Sequence, residues 1–292
     1  MRSFSIFFPV KIEHLAHKSA QNQLFSLESI HKDCYNLLHR HILRVAFMQS
    51  FNGCISRPGR DPATMIASLV SLLLLGCALE AVFIVQEHRK RMLAALLLKG
   101  GASLLFVLAG VLAFSRSGNP SFARLIVLGL MFGAVGDVCL NLRFLLTEHA
   151  RPIFLCGIAA FLLGHVAYLA ALIAEAPQAL LYALPASALV SFFLIRYVLS
   201  RVEVAGAIKT FGIVYLCVVF LMAAAAVTLF VFEPWNAGRA VFAAGALLFA
   251  ASDVLLVLHQ FGKRLYPAFR ALNLSLYYLG QVCICLTIAL LR

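Results

Sequence analysis

Gly133-Ala134-Val135-Gly136-Asp137-Val138-Cys139-Leu140 sets one aspartate in the middle of a long apolar run, and Leu248-Phe249-Ala250-Ala251-Ser252-Asp253-Val254-Leu255 does the same further along. The runs around them are about 20 residues long, enough to cross roughly 30 Å of hydrocarbon as helices. The fold therefore reads as an all-α membrane protein. An Asp at the centre of such a span costs at least about 2.5 kcal/mol on insertion scales, so it points to function. The pattern extends beyond the two acids. Asp137 is followed 28 residues later by His165, in Phe161-Leu162-Leu163-Gly164-His165, and Asp253 is followed 28 residues later by Gln281, in Tyr277-Tyr278-Leu279-Gly280-Gln281. Both correspondences share an offset of 116 residues, so the halves of the membrane part look like copies.

Composition excludes a soluble globule. The 292 residues are 63% hydrophobic and only 12% charged, with a mean hydropathy of +0.95, whereas soluble domains are about 25% charged. A net charge of +12 would suit a nucleic-acid partner, but the basic residues lie between the apolar runs and in the N-terminal stretch. There they set topology and meet anionic lipid headgroups, so no nucleic acid is expected. Cys77, Cys139, Cys156, Cys217, Cys283 and Cys285 fall inside apolar runs and show no paired metal-ligand spacing; they read as small hydrophobes.

Residues 1–63 form a separate leader by composition. They hold five of the nine histidines and eight of the 24 Lys/Arg, without a run long enough to span. No short apolar core precedes a cleavage site, so this is not a signal peptide; a solvated, poorly ordered leader is expected, with Ile42 to Phe51 as a weak interfacial alternative. Ser56-Arg57-Pro58-Gly59-Arg60-Asp61-Pro62 reads as a linker by its turn chemistry. Residues 64–292 make the membrane domain, with repeat halves at about 65–174 and 178–291. Its eight spans are expected at about 65–86, 92–114, 122–142, 152–174, 178–199, 206–232, 238–258 and 270–291, with consecutive helices as antiparallel neighbours because the connections are short. Each half has an even number of spans, so the two four-helix repeats would be parallel, related about an axis along the membrane normal.

The odd connections carry eleven Lys/Arg against Arg116, Arg124 and Arg239 in the even ones. That places the odd connections in the cytoplasm and both termini outside. The eight basic residues of the leader pull the other way. Either the leader overrides the loops or it is not part of the mature chain, for which Met65 offers an alternative start; the loops are expected to decide. The protein is thus an integral, multi-pass membrane protein, in the plasma (inner) membrane if bacterial.

The strong polar groups at membrane depth are Glu80, Lys99, Asp137, Asn141, His165, Tyr215, Asp253, Tyr277, Tyr278 and Gln281. Intramembrane carboxylates face the bundle interior, so Asp137 and Asp253 are expected to approach each other, with His165 and Gln281 on neighbouring helices. Taken singly, a membrane His or Tyr is more often a helix–helix hydrogen bond than a catalyst. Glu80 and Lys99 lie near the ends of their spans and could snorkel. No phosphate loop, metal-binding triple or nucleophile elbow is present. The Gly-x-Gly-Asp box of intramembrane aspartyl proteases is also missing, because Ala134 stands where its first Gly belongs. A carboxyl pair acting as general acid and base in a lipid-accessible cavity remains.

The matched segments resemble the lysoplasmalogenase (YhhN-like) membrane proteins over about residues 66 to 291. The resemblance is carried by Gly136-Asp137, Gly164-His165-Val166-Ala167-Tyr168, Gly245-Ala246-Leu247-Leu248-Phe249 running into Ser252-Asp253, and Tyr277-Tyr278-Leu279-Gly280-Gln281. Lys99-Gly100 departs from the family's usual Lys-Pro, and Gly280 from its usual Ala. The resemblance implies hydrolysis of the vinyl-ether bond of lysoplasmalogens, giving a fatty aldehyde and a glycerophospho-choline or -ethanolamine. Asp137 and Asp253 would share the acid and base roles. His165 and Gln281 would orient carboxyls or water, Lys99 would meet the substrate phosphate, and Tyr277 or Tyr278 would line the site. The partners are then a lysophospholipid and the bilayer; no cofactor and no metal are needed. A small proton-coupled transporter would use the same paired carboxylates and repeat, and a structural membrane protein with a satisfied polar core is the third reading.

Overall fold

The computed structural model describes residues 62–115, 117–263 and 267–291. The expected leader up to residue 61, including the Ile42–Phe51 segment and the linker from residue 56 to 61, lies outside the described residues, as do Arg116 and Arg264. Eight helices follow one another: α1 (Pro62–His88), α2 (Met92–Phe114), α3 (Pro120–Leu142), α4 (Ala150–Glu175), α5 (Leu180–Arg201), α6 (Gly206–Phe232), α7 (Ala237–Phe261) and α8 (Pro267–Leu290). All eight are long and apolar enough to cross a membrane. With no water in hydrocarbon to satisfy a peptide group, an uninterrupted helix is what these sequences must form. They extend the expected spans by a few residues, and local chemistry sets their starts. Asn119 caps α3 by accepting from the Phe122 amide at 3.1 Å, with Pro120 in the first turn. Asn236 caps α7 by accepting from the Gly238 and Arg239 amides at 2.7 and 3.3 Å. Such caps satisfy amides that a helix start leaves without partners.

The strongest packing is between α3 and α4 and between α7 and α8, followed by α1 with α2 and α2 with α3. The expectation that all consecutive helices are neighbours fails at one place. α4 packs on α6 rather than on α5, from which the short 3-10 turn Pro177–Ala179 separates it. The cause lies in the side chains. α4 presents His165, Tyr168, Ala171 and Leu172 to the core, and α6 answers with Tyr215, Leu216 and Val219. α5 buries little beyond Ala183, Ser187, Ser191 and Val198, and turns Leu181, Leu189, Phe192 and Phe193 outward. In a membrane that face is at home in lipid.

Glycines let α3 approach α4 closely. A Cβ on Gly129 would stand 2.2 Å from the Tyr168 ring, and one on Gly136 would stand 2.7 Å from the Phe161 ring. α7 and α8 meet in the same way at Gly245 and Gly280. These small-residue contacts are how membrane helices pack when the hydrophobic effect no longer separates inside from outside.

Candidate active site

α3 and α7 bring their aspartates to the walls of one cavity. Lys99 of α2, Asp137 and Asn141 of α3, Phe161 and His165 of α4, and Ser252 and Asp253 of α7 line it, with Arg270, Asn273 and Tyr277 of α8. The cavity encloses about 440 Å³ including its open mouth. Asp137, His165 and Asp253 are each no more than 4% exposed, so every charge here acts in a medium of low polarity.

Asp137 is held on several sides. The Ser103 hydroxyl donates to its Oδ2, and the Tyr277 hydroxyl donates to the same oxygen at 2.9 Å. The Lys99 ammonium stands 3.3 Å from Oδ1 and 3.2 Å from Glu80 Oε1. Helix spacing explains part of this set. Lys99 and Ser103 are four residues apart, hence on one face of α2. Tyr277 and Gln281 are likewise four apart on α8, and the Gln281 amide donates to the Tyr277 hydroxyl at 2.8 Å. Tyr168 reaches Gln281 Oε1 at 3.4 Å. Gln281 therefore acts on Asp137 through Tyr277, one layer behind the cavity wall.

Asp253 has other company. Its Oδ2 lies 3.3 Å from His165 Nε2, and the same nitrogen lies 3.3 Å from the Tyr215 hydroxyl. Nδ1 of His165 is buried without a hydrogen-bond partner. Beside it, Asn273 donates from Nδ2 to the Ser252 carbonyl at 2.8 Å and to the Ser252 hydroxyl at 2.8 Å, pinning α8 to α7 next to Asp253.

Of the residues singled out in the sequence, Asp137, Asp253, His165, Lys99 and Tyr277 thus line one cavity. Glu80, Tyr278 and Gln281 stand behind it. Lys99 is engaged by the protein itself: its ammonium lies between two carboxylates, with the Tyr278 and Tyr277 rings 4.3 and 4.7 Å away, and the residue is 2% exposed. The snorkelling alternative fails, because Lys99 and Glu80 turn inward to each other. Sequence reasoning missed Ser103, Asn273 and Arg270. The spacing from Lys99 was a signal for Ser103; Asn273 stood alone in an apolar run, and Arg270 was absorbed into the loop charge.

A cluster of charged residues gathers around Arg270, which lines the cavity. Arg270 donates to both Glu87 oxygens, at 2.6 and 3.0 Å, and Arg143 donates to Gln260 Oε1 at 2.9 Å. Burial pushes the Arg143 guanidinium down to about 10; neighbouring Arg270 pushes the same way and Glu87 opposes. Among the described residues, no group of three or more His, Cys, Asp or Glu is assembled to hold a metal ion.

Compared with known proteins, residues 94–288 match the model of the YhhN family. The match covers α2 to α8 almost entirely and includes every cavity residue named above. Neither a curated protein nor a solved structure matches the chain.

Proposed function

Since the chain belongs to the YhhN family, the lysoplasmalogenase family, we propose that this cavity hydrolyses the vinyl-ether bond of lysoplasmalogens to a fatty aldehyde and a glycerophospho-choline or -ethanolamine. The observation that carries the reading is that two buried carboxyls from α3 and α7 face one cavity with different partners. A vinyl ether opens when a proton adds to its β-carbon, leaving an oxocarbenium ion. Water adds to that ion, and the hemiacetal loses the glycerol oxygen as an alcohol to give the aldehyde. The reaction needs a proton donor, a negative charge beside the cation and a base for the water.

The surroundings divide these roles. Glu80, Lys99 and Asp137, when ionised, carry one net negative charge fixed by Ser103 and Tyr277. A preset charge of this kind steadies a developing cation without reorganising. Asp253 shares His165 and has fewer fixed partners, which suits it to pass the proton and to take one back from water, with His165 orienting it. Asp137 is therefore the electrostatic partner and Asp253 the acid and base. The same cavity in a carrier would have nothing to convert in detergent solution, so turnover there separates the two readings.

Aldehyde release from a lysoplasmalogen by purified protein tests the proposal. Asp253→Asn and Asp137→Asn should each lower the rate by two or more orders of magnitude, the usual weight of positioned acid–base groups. Full activity in either variant, inserted at normal levels, would refute the assignment of that carboxyl.

A further inference from the structure

The proposed chemistry leaves one group of charges unused. Where α1, α3 and α7 end and α8 begins, Glu87, Arg143, His259, Gln260 and Arg270 come together. Arg143 follows the end of α3 and His259 lies in the last turn of α7, where a cation is favoured by the backbone dipoles, and basic residues at one membrane face also serve topology. Neither argument covers Arg270. It stands in the first turn of α8, where the dipole disfavours a cation, and it lines the same cavity as Asp137 and Asp253. Glu87 takes the Nε and one Nη of its guanidinium, which leaves further N–H donors of the five. Arg143 Nε and His259 Nδ1 are buried without a hydrogen-bond partner. Two guanidinium groups against one carboxylate leave a net positive charge, the complement of a phosphodiester with its single negative one.

The geometry adds a direction. Arg270, Asn273, Leu274 and Tyr277 all line the cavity, and their spacing makes one stripe of α8 about 10 Å long. The stripe leads from Arg270 to the hydroxyl that holds Asp137. We infer that Arg270, backed by Arg143, binds the phosphate of the lysophospholipid headgroup, so that the glycerol backbone lies along α8 and the chain linkage reaches the carboxyls. This rests on the hydrolase reading for its substrate, and it moves the phosphate from Lys99 to Arg270. Planar guanidinium groups are well matched to phosphate oxygens. Glu87 competes with the phosphate for Arg270 and sets how firmly it binds.

The test is binding by the full chain in a maltoside detergent, which carries no phosphate. The probe is a 1-O-alkyl lysophosphocholine. It has no vinyl-ether double bond, so its binding is read independently of hydrolysis, and a missing aldehyde product would count against the hydrolase reading without touching this one. Arg270→Gln should raise its Kd tenfold or more, while 1-O-alkylglycerol, which lacks the phosphate, binds wild type and variant alike. Glu87→Gln should tighten the phosphate probe several-fold, a gain that a damaged fold does not give. An unchanged Kd in Arg270→Gln, an equal loss for both probes, or no gain in Glu87→Gln would each overturn the assignment. Inorganic phosphate binding as tightly as the lipid would overturn its lipid source.

Discussion

Glu80, Lys99 and Asp137 are 4%, 2% and 3% exposed, so a substitution at any one of them falls on the other two. Lys99→Met would leave two carboxylates facing each other in a medium where an unpaired charge is costly. Removing one partner of a buried ion pair costs about 3–5 kcal/mol. Glu80→Gln keeps the Lys99–Asp137 contact and a polar group against the ammonium, so it should cost clearly less. Melting in detergent should rank wild type above Glu80→Gln and that above Lys99→Met; equal melting of all three would mean the charges are solvated and the triad carries nothing. At this scale the sequence was legible where a residue was costly. Asp137, Asp253 and His165 stood out because lipid penalises them. Ser103 and Asn273 did not, because a hydroxyl or amide in a span is commonly satisfied by its own helix or a neighbouring one. Lys99 was visible as a residue but not as a pair with Glu80, which comes from another helix 19 positions earlier.

The α3–α4 contact shows what a whole element contributes. Gly129 and Gly136 lie two helical turns apart, and the rings of Tyr168 and Phe161 fill the places their side chains would take; between them Gly133 makes room instead for Gln281 Nε2 of α8. Gly136→Ala must push Phe161 or part the helices, and overpacking of this kind costs about 1–3 kcal/mol. Because Phe161 lines the cavity beside Asp137, the variant should lose activity as well as melting temperature. Gly212 is the internal control. Its Cβ would meet nothing within 4 Å, so Gly212→Ala should leave melting unchanged or raise it, since Ala is the better helix former. If both variants melted alike, the close approach of α3 and α4 would not be what holds this part of the bundle. The spans themselves were legible because an apolar run of this length has few other destinies. Their inward faces were not. Helices apolar on every side carry no stripe to read, so the displacement of α4 from α5 onto α6 could only come from the packing.

For the molecule as a whole, charge and architecture make one argument about the membrane. The 116-residue offset proposed as an internal repeat would exchange the α4–α6 pair for α8–α2, and both pairs pack in the bundle. It would also exchange Lys99 for Tyr215 and His165 for Gln281, so the two carboxyls would occupy like positions with unlike partners. That difference is what a two-role reaction requires. The ends that gather Glu87, Arg143, His259 and Arg270 belong to the first, third and seventh connections, which carry eight of the eleven Lys/Arg of the odd connections. The positive-inside rule would put them in the cytoplasm, and the proposed phosphate site with them. Trp235, in the even connection between α6 and α7, is 76% exposed, as an aromatic anchor at the opposite interface would be. In a background with the native cysteines replaced, Glu233→Cys should react with a membrane-impermeant maleimide added to intact cells. Lys90→Cys, in the exposed turn after α1 where φ is +58°, should react only after permeabilisation. The reverse pattern would place the proposed phosphate site outside, so that substrate entered from the outer leaflet and the basic residues of the odd connections had not set the topology.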